Sequence, residues 1–140
     1  MKEVINSFTD EYRFLSNFSK CDVTYDDLEY SSVEHAYQAA KTIDSLERYF
    51  IKSCLTAGQA KRAGKKVTMR SDWEEIKLSV MEELLRQKFA IPGFKKLLKE
   101  TKDKILIEGN NWGDTYWGVC KGKGTNYLGR LLMKIRDRVK

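Results

Sequence analysis

The chain has 140 residues, 41% of them apolar and 33% charged, with nine glycines and a single proline. That composition builds one folded core and excludes a disordered or fibrous chain. Lysine plus arginine outnumber aspartate plus glutamate by 26 to 20, a net charge of +6, which suits an anionic ligand such as a phosphate, a nucleotide or a nucleic acid without choosing among them.

No apolar run approaches the roughly 20 residues of a membrane-spanning helix, so no membrane partner is expected. The first residues, MKEVINSFTDEYRF, lack the apolar stretch of a secretory signal, and a cytoplasmic location is expected. Cys21, Cys54 and Cys120 are odd in number and far apart in sequence. They form neither a disulfide framework nor a CxxC zinc site. His35 is the only histidine, so a His-rich metal site is excluded, and any Ser-His or Cys-His pair would have to use that residue. No metal or other cofactor is expected.

No repeat, low-complexity stretch or Pro/Gly/Ser-rich linker marks a boundary, so residues 1–140 read as one domain. Residues 21–25 and 28–30 alternate around Asp26-Asp27, which predicts a short β-hairpin with an acidic turn. Ser31-Ser-Val-Glu34 has the S-x-x-E spacing of a capping box and predicts a helix to about Thr42. A second helix fits 45–54, with Leu46, Tyr49, Phe50 and Cys54 at helical spacing, and a third runs from Thr56 to Gly64. Ser71-Asp-Trp-Glu74 opens a long amphipathic helix carrying Trp73, Ile76, Val80 and Leu84 and ending near Ala90. Pro92 fits the first turn of the next helix, with Phe94, Leu97 and Leu98 as its buried face. Ile105–Ile107 reads as a short strand, 109–125 as an irregular loop, and a last helix begins near Asn126 with Leu128, Leu131, Leu132, Ile135 and Val139 inward. The expected class is α+β, predominantly helical, with a few short strands.

Four segments carry residues suited to chemistry. In SSVEHAYQAAK, Glu34, Gln38 and Lys41 stand four and three residues apart, so a carboxylate, an amide and an amine share one helical stripe. The same stripe would equally suit a solvated face, with Glu34 spent on the capping box. His35 reads as a hydrogen-bonded structural residue. In FLSNF, Phe14, Ser16, Asn17 and Phe18 combine stacking with hydrogen bonding, as a base held outside a duplex requires, or else form an aromatic core corner. Arg70-Ser-Asp-Trp73 offers an anion partner and an indole whose ordinary place is the core. The segment 108–126, EGNNWGDTYWGVCKGKGTN, sets Asp114 between two tryptophans and places Lys121 and Lys123 in a glycine-rich run before a helix N-terminus, where phosphates bind. The spacing is not that of a Walker A loop.

Taken in order, FLSNF, the hairpin leading into SSVEHAYQAAK, the MRSDWE segment and GDTYWGVCKGKGTNYLGRLLMKIR resemble the NADAR or YbiA-like family over residues 6–138. The resemblance implies a mostly helical α+β N-glycosidase that breaks a bond between nitrogen and the ribose anomeric carbon. The substrate would be a ribosylamine intermediate of riboflavin synthesis, or guanine carrying ADP-ribose in nucleic acid or a nucleotide. A non-catalytic ADP-ribose or nucleotide-binding module is the reading of another class. Motif by motif, the functional glutamate falls on Glu34, the lysine on Lys41, the tryptophan of the W-E segment on Trp73 and the aspartate of D-x-x-W-G on Asp114. Trp117 and Gly118 complete that last motif, and Ser16 and Asn17 fall where the base is touched. The residues and the resemblance together imply that Glu34, Lys41, Trp73 and Asp114 surround one sugar carbon. The oligomeric state is not legible.

Overall fold

A computed structural model describes residues 2–139. In chain order the elements are β1 (Val4–Ile5), a 3₁₀ helix (Asp10–Leu15), β2 (Lys20–Tyr25), β3 (Leu28–Ser32), α1 (Val33–Ala40), α2 (Ser45–Ser53), α3 (Ala57–Gly64), α4 (Trp73–Lys88), α5 (Pro92–Glu100), β4 (Ile105–Leu106), β5 (Gly109–Asn110), β6 (Val119–Cys120) and α6 (Tyr127–Arg138). The class is α+β, predominantly helical, as expected. Two compact units are distinguished: residues 17–88, and the chain up to Ser16 together with Phe89 onward. The junctions fall inside FLSNF and at the end of α4, where no glycine or proline marks them in sequence. Among the described residues no helix is long and apolar enough to cross a membrane.

In the 17–88 unit, β2 and β3 pair antiparallel through Asp26 and Asp27, whose φ values of 48° and 66° are those of a type I′ turn. β2 alternates buried Cys21 and Val23 with exposed Lys20, Asp22 and Thr24. Strand pairing extends to Ser32, opposite Lys20, so α1 starts one residue later than the S-x-x-E spacing predicts. Ser32 is the cap, accepting from the His35 backbone N–H, and Glu34 is released from the expected capping box. All eight residues of α1 are buried, and the helix packs against β2, β3, α2, α3 and α4. Ala36, Ala39 and Ala40 permit that close enclosure.

The second helix, α2, lies where the spacing predicts, but its orientation differs. Arg48 and Ile51 face inward, while Leu46, Tyr49 and Phe50 are exposed. The guanidinium explains the turn of the helix: Arg48 Nε donates to Thr42 O at 2.7 Å and NH1 to Asp26 Oδ2 at 2.8 Å. A buried guanidinium requires such acceptors. The third helix, α3, opens with a full capping box between Thr56 and Gln59.

In the other unit, β1 pairs parallel with β4 and β5 parallel with β6. α6 packs on β4 and α5 on the 3₁₀ helix. Pro92 occupies the first turn of α5, as expected. Leu98 is buried, Phe94 is half-buried and Leu97 is 40% exposed, so the inner face is narrower than the sequence predicts. Val139 lies past the end of α6 and is half-buried, while Leu128, Leu131, Leu132 and Ile135 are buried as predicted.

Replacing Asp27 by glycine removes a side chain from a left-handed position and is expected to raise the urea-unfolding free energy by about 0.5–1 kcal/mol, whereas Asp27→Val lowers it by about 1–2 kcal/mol.

Candidate active site

The predicted stripe on α1 is present, and it is not a solvated face. Glu34 is 7% and Gln38 4% exposed. Gln38 Nε2 donates to Glu34 Oε2 at 2.6 Å across one helical turn. A carboxylate out of water is stable only with such partners, and the amide fixes which oxygen is held. Gln38 reaches this position because α3 ends in Gly64: a Cβ there would stand 1.9 Å from Gln38 Oε1. Gln38 Oε1 itself is buried without a hydrogen-bond partner among the described residues.

Lys41 sits one residue past α1, half-buried, with Nζ 5.7 Å from the centre of the Tyr37 ring. Burial pushes its pKa below that of an ordinary lysine. The charge of Glu34 opposes this, and Lys61, Lys77 and Lys65 reinforce it. Arg70 is held by Asp72, Nε to Oδ1 at 2.7 Å and NH2 to Oδ2 at 3.3 Å. Its backbone N–H donates to Lys41 O at 2.7 Å, tying the Arg70–Trp73 segment to the end of α1. Trp73 is 3% exposed, and its ring packs on Tyr37 with centroids 5.1 Å apart, the core position that is ordinary for an indole.

His35 is structural, as read from the sequence. Its Nε2 lies 3.0 Å from Cys54 O, which only accepts, so Nε2 carries a proton, and Nδ1 lies 2.6 Å from Ser32 Oγ. Asn17 is 9% exposed; its carbonyl accepts the Glu34 N–H at 3.1 Å, and its Oδ1 is buried without a partner among the described residues. Lys61 Nζ lies 6.0 Å from the Phe18 ring centre.

Phe14, Ser16, Asp114, Trp117, Gly118, Lys121 and Lys123 belong to the other unit. There a cleft of about 650 Å3 is lined by residues 6–9, Ser16, residues 107–112 and Val119. Phe14 is half-buried at the end of the 3₁₀ helix. Asp114 folds its own loop: Oδ1 accepts from the N–H groups of Tyr116 at 3.1 Å and Trp117 at 2.9 Å. Gly118 is buried, and a Cβ there would stand 2.1 Å from Glu108 O, so this glycine serves packing between backbones.

The expected phosphate cradle before α6 takes a different form. The N–H groups of Tyr127 and Leu128 are taken by the carbonyls of Tyr116 and Trp117, at 3.1 and 3.0 Å. Lys121 and Gly122 form a tight turn closed by Cys120 and Lys123, at 2.8 and 3.0 Å. What the segment offers a ligand is therefore the exposed side chains of Lys121 and Lys123, not helix amides.

Tyr37, Lys61 and the cleft residues Glu108, Asn110 and Trp112 were not singled out as site residues in sequence. Tyr37 stands one residue off the polar stripe, and Lys61 has no signal beyond its charge. Trp112, 59% exposed, was legible as one of the two tryptophans around Asp114.

Residues 5–140 match the family model of the NADAR domain. The chain is 34% identical over 146 residues to the N-glycosidase YbiA of Escherichia coli strain K12, with 99% of this chain and 91% of that protein covered. The NMR structure of the E. coli protein YbiA superposes with a TM-score of 0.86 at 34% identity, covering 99% of this chain and 86% of that one. The chain is also 30% identical over 149 residues to the chloroplastic riboflavin biosynthesis protein PYRR of Zea mays, covering 93% of this chain and 24% of that protein.

The packing of Gln38 against Gly64 makes a prediction. Gly64→Ala is expected to cost about 1–3 kcal/mol in urea unfolding by forcing Gln38 off Glu34. Gly58→Ala, whose Cβ would have no neighbour nearer than 3.8 Å, is expected to be neutral or stabilising by up to about 1 kcal/mol.

Proposed function

The chain belongs to the NADAR family, and from that premise we propose that it is an N-glycosidase that hydrolyses the bond between a nitrogen and the anomeric carbon of a phosphorylated ribose. The observation that carries this reading is the buried Glu34 carboxylate, oriented by Gln38 and sharing a helical stripe with a half-buried Lys41. Cleavage of an N-glycosidic bond builds oxocarbenium character at the anomeric carbon, and a carboxylate held out of water stabilises that charge strongly. Glu34 is assigned this role and the positioning of the attacking water. Asp114 is the other carboxylate that the family motif indicates, and its Oδ1 is committed to two backbone N–H groups.

The depressed pKa of Lys41 favours a covalent route for the same bond. The ribosyl ring opens as its oxygen takes a proton and the nitrogen lone pair forms an iminium at the anomeric carbon. The neutral Lys41 amine adds to that carbon. Glu34 carries a proton from Nζ to the departing nitrogen, the carbon–nitrogen bond breaks with its electron pair leaving on that nitrogen, and water hydrolyses the Lys41 imine. Trp73 braces Tyr37, over whose ring the amine lies. A ribosylamine intermediate of riboflavin synthesis is the substrate favoured by the name of the maize relative; guanine bearing ADP-ribose is the alternative.

The test is base release from the ribosylamine intermediate, ADP-ribosylated guanosine and ADP-ribosylated single-stranded DNA. Release from the first alone is expected. Glu34→Gln is expected to lose at least about 100-fold in kcat while keeping its circular dichroism; unchanged turnover removes Glu34 from the chemistry. Binding of ADP-ribose with no base release from any substrate would make the chain a binding module. A steep loss of activity with salt would indicate the nucleic-acid substrate.

The direction of the Lys41 shift fixes a pH dependence. The amine is charged below its folded pKa and neutral above it, so kcat is expected to rise with pH along a limb centred below the ordinary lysine range. Lys41→Arg abolishes the limb. Stability follows the same sign: the unfolded chain holds this proton to higher pH, so the contribution of Lys41 grows as pH rises through the folded value and is lost as pH falls through it.

A further inference from the structure

The Lys41 ammonium is half-buried, yet among the described residues it makes no hydrogen bond or ion pair. What it lies over is the Tyr37 ring, with Nζ 5.7 Å from the ring centre. Tyr37 and Lys41 stand four residues apart, and Lys41 keeps helical dihedrals at the end of α1, so the two side chains meet on one face. Tyr37 is itself 6% exposed and packs on the buried Trp73. The Trp73 segment is tied to the same point: the Arg70 N–H donates to Lys41 O at 2.7 Å, and the Trp73 N–H to Arg70 O at 3.3 Å. Two buried rings thus form a platform fixed to the backbone of the residue whose amine they carry.

The face of an aromatic ring attracts an ammonium through its quadrupole, and the attraction strengthens away from water. It is weaker than a direct carboxylate contact, which would keep the proton on the amine. We propose that Tyr37 is a positioning residue for Lys41: its ring face, braced by Trp73, holds the amine in place for reaction without locking its proton. The proposal rests on Lys41 being the reacting amine. The charged groups around that amine are Glu34 on α1, Lys61 on α3, Lys65 just after it and Lys77 on α4, and a change at position 37 leaves all of them in the chain.

The test titrates Lys41 by NMR in the full chain carrying isotope-labelled lysine, with Lys41→Arg identifying its resonance, and measures kcat and KM over the same pH range. Tyr37→Leu is expected to lower the Lys41 midpoint by about 0.5–1 pH unit, because the charged form loses its ring. It is also expected to lower kcat on the high-pH plateau about 10–100-fold with KM little changed. Tyr37→Phe keeps the ring and is expected to restore both. Increasingly fluorinated phenylalanines at position 37 keep the shape and weaken the face, so the midpoint falls stepwise in a folded chain. A merely structural role gives the opposite sign, since loosened packing admits water and raises the midpoint toward the ordinary lysine value. A midpoint that rises or stays, or one that falls with plateau kcat unchanged, overturns the proposal. The titration needs no substrate, so an active Lys41→Ala enzyme, which would overturn the catalytic reading beneath, is recognised separately.

Discussion

Complete burial of α1 is the constraint on which the 17–88 unit depends. Each of its eight residues is covered, yet three of them, Glu34, His35 and Gln38, are polar. An interior of low dielectric makes every unmatched polar atom costly and every matched one rigid. The helix therefore dictates its surroundings. Ser32 must end β3 so that its hydroxyl meets His35, the carbonyl of Cys54 must face Nε2, and α3 must present a glycine where Gln38 needs room. Alanines fill three of the remaining five positions, beside Val33 and Tyr37, and the neighbouring elements approach closely because of them.

The chemistry follows from the same enclosure. A carboxylate on a solvated face would be screened and mobile. Glu34 is instead held at a fixed oxygen by Gln38, and Lys41 lies half-buried where the enclosure ends. The cations around it on α3 and α4 push its pKa the same way as burial. Positive charge here lowers the proton affinity of one amine.

Much of this was legible in the sequence, for identifiable reasons. The acidic turn, the proline-led α5, the Thr56 cap and the apolar face of α6 rest on local chemistry, which short segments state directly. The stripe of Glu34, Gln38 and Lys41 was visible from spacing alone. Whether it was buried was not, because that depends on β3 pairing through Ser32, a non-local fact that shifts the helix start by one residue. The orientation of α2 was hidden for a similar reason: apolar periodicity marks a face, and only the acceptors waiting for Arg48 decide which way it turns. β1 and β5, two residues each, are too short to produce a pattern. The filled amides at the start of α6 depend on a loop doubling back, which a glycine-rich run does not reveal.

The central claim is that the desolvated amine at the end of α1 meets the anomeric carbon. Borohydride reduction during turnover, followed by peptide mass spectrometry, tests it most directly. The account predicts a stable ribosyl adduct on Lys41, absent from Lys41→Ala, which is also inactive. An active Lys41→Ala enzyme, or an adduct on any other lysine, would contradict it.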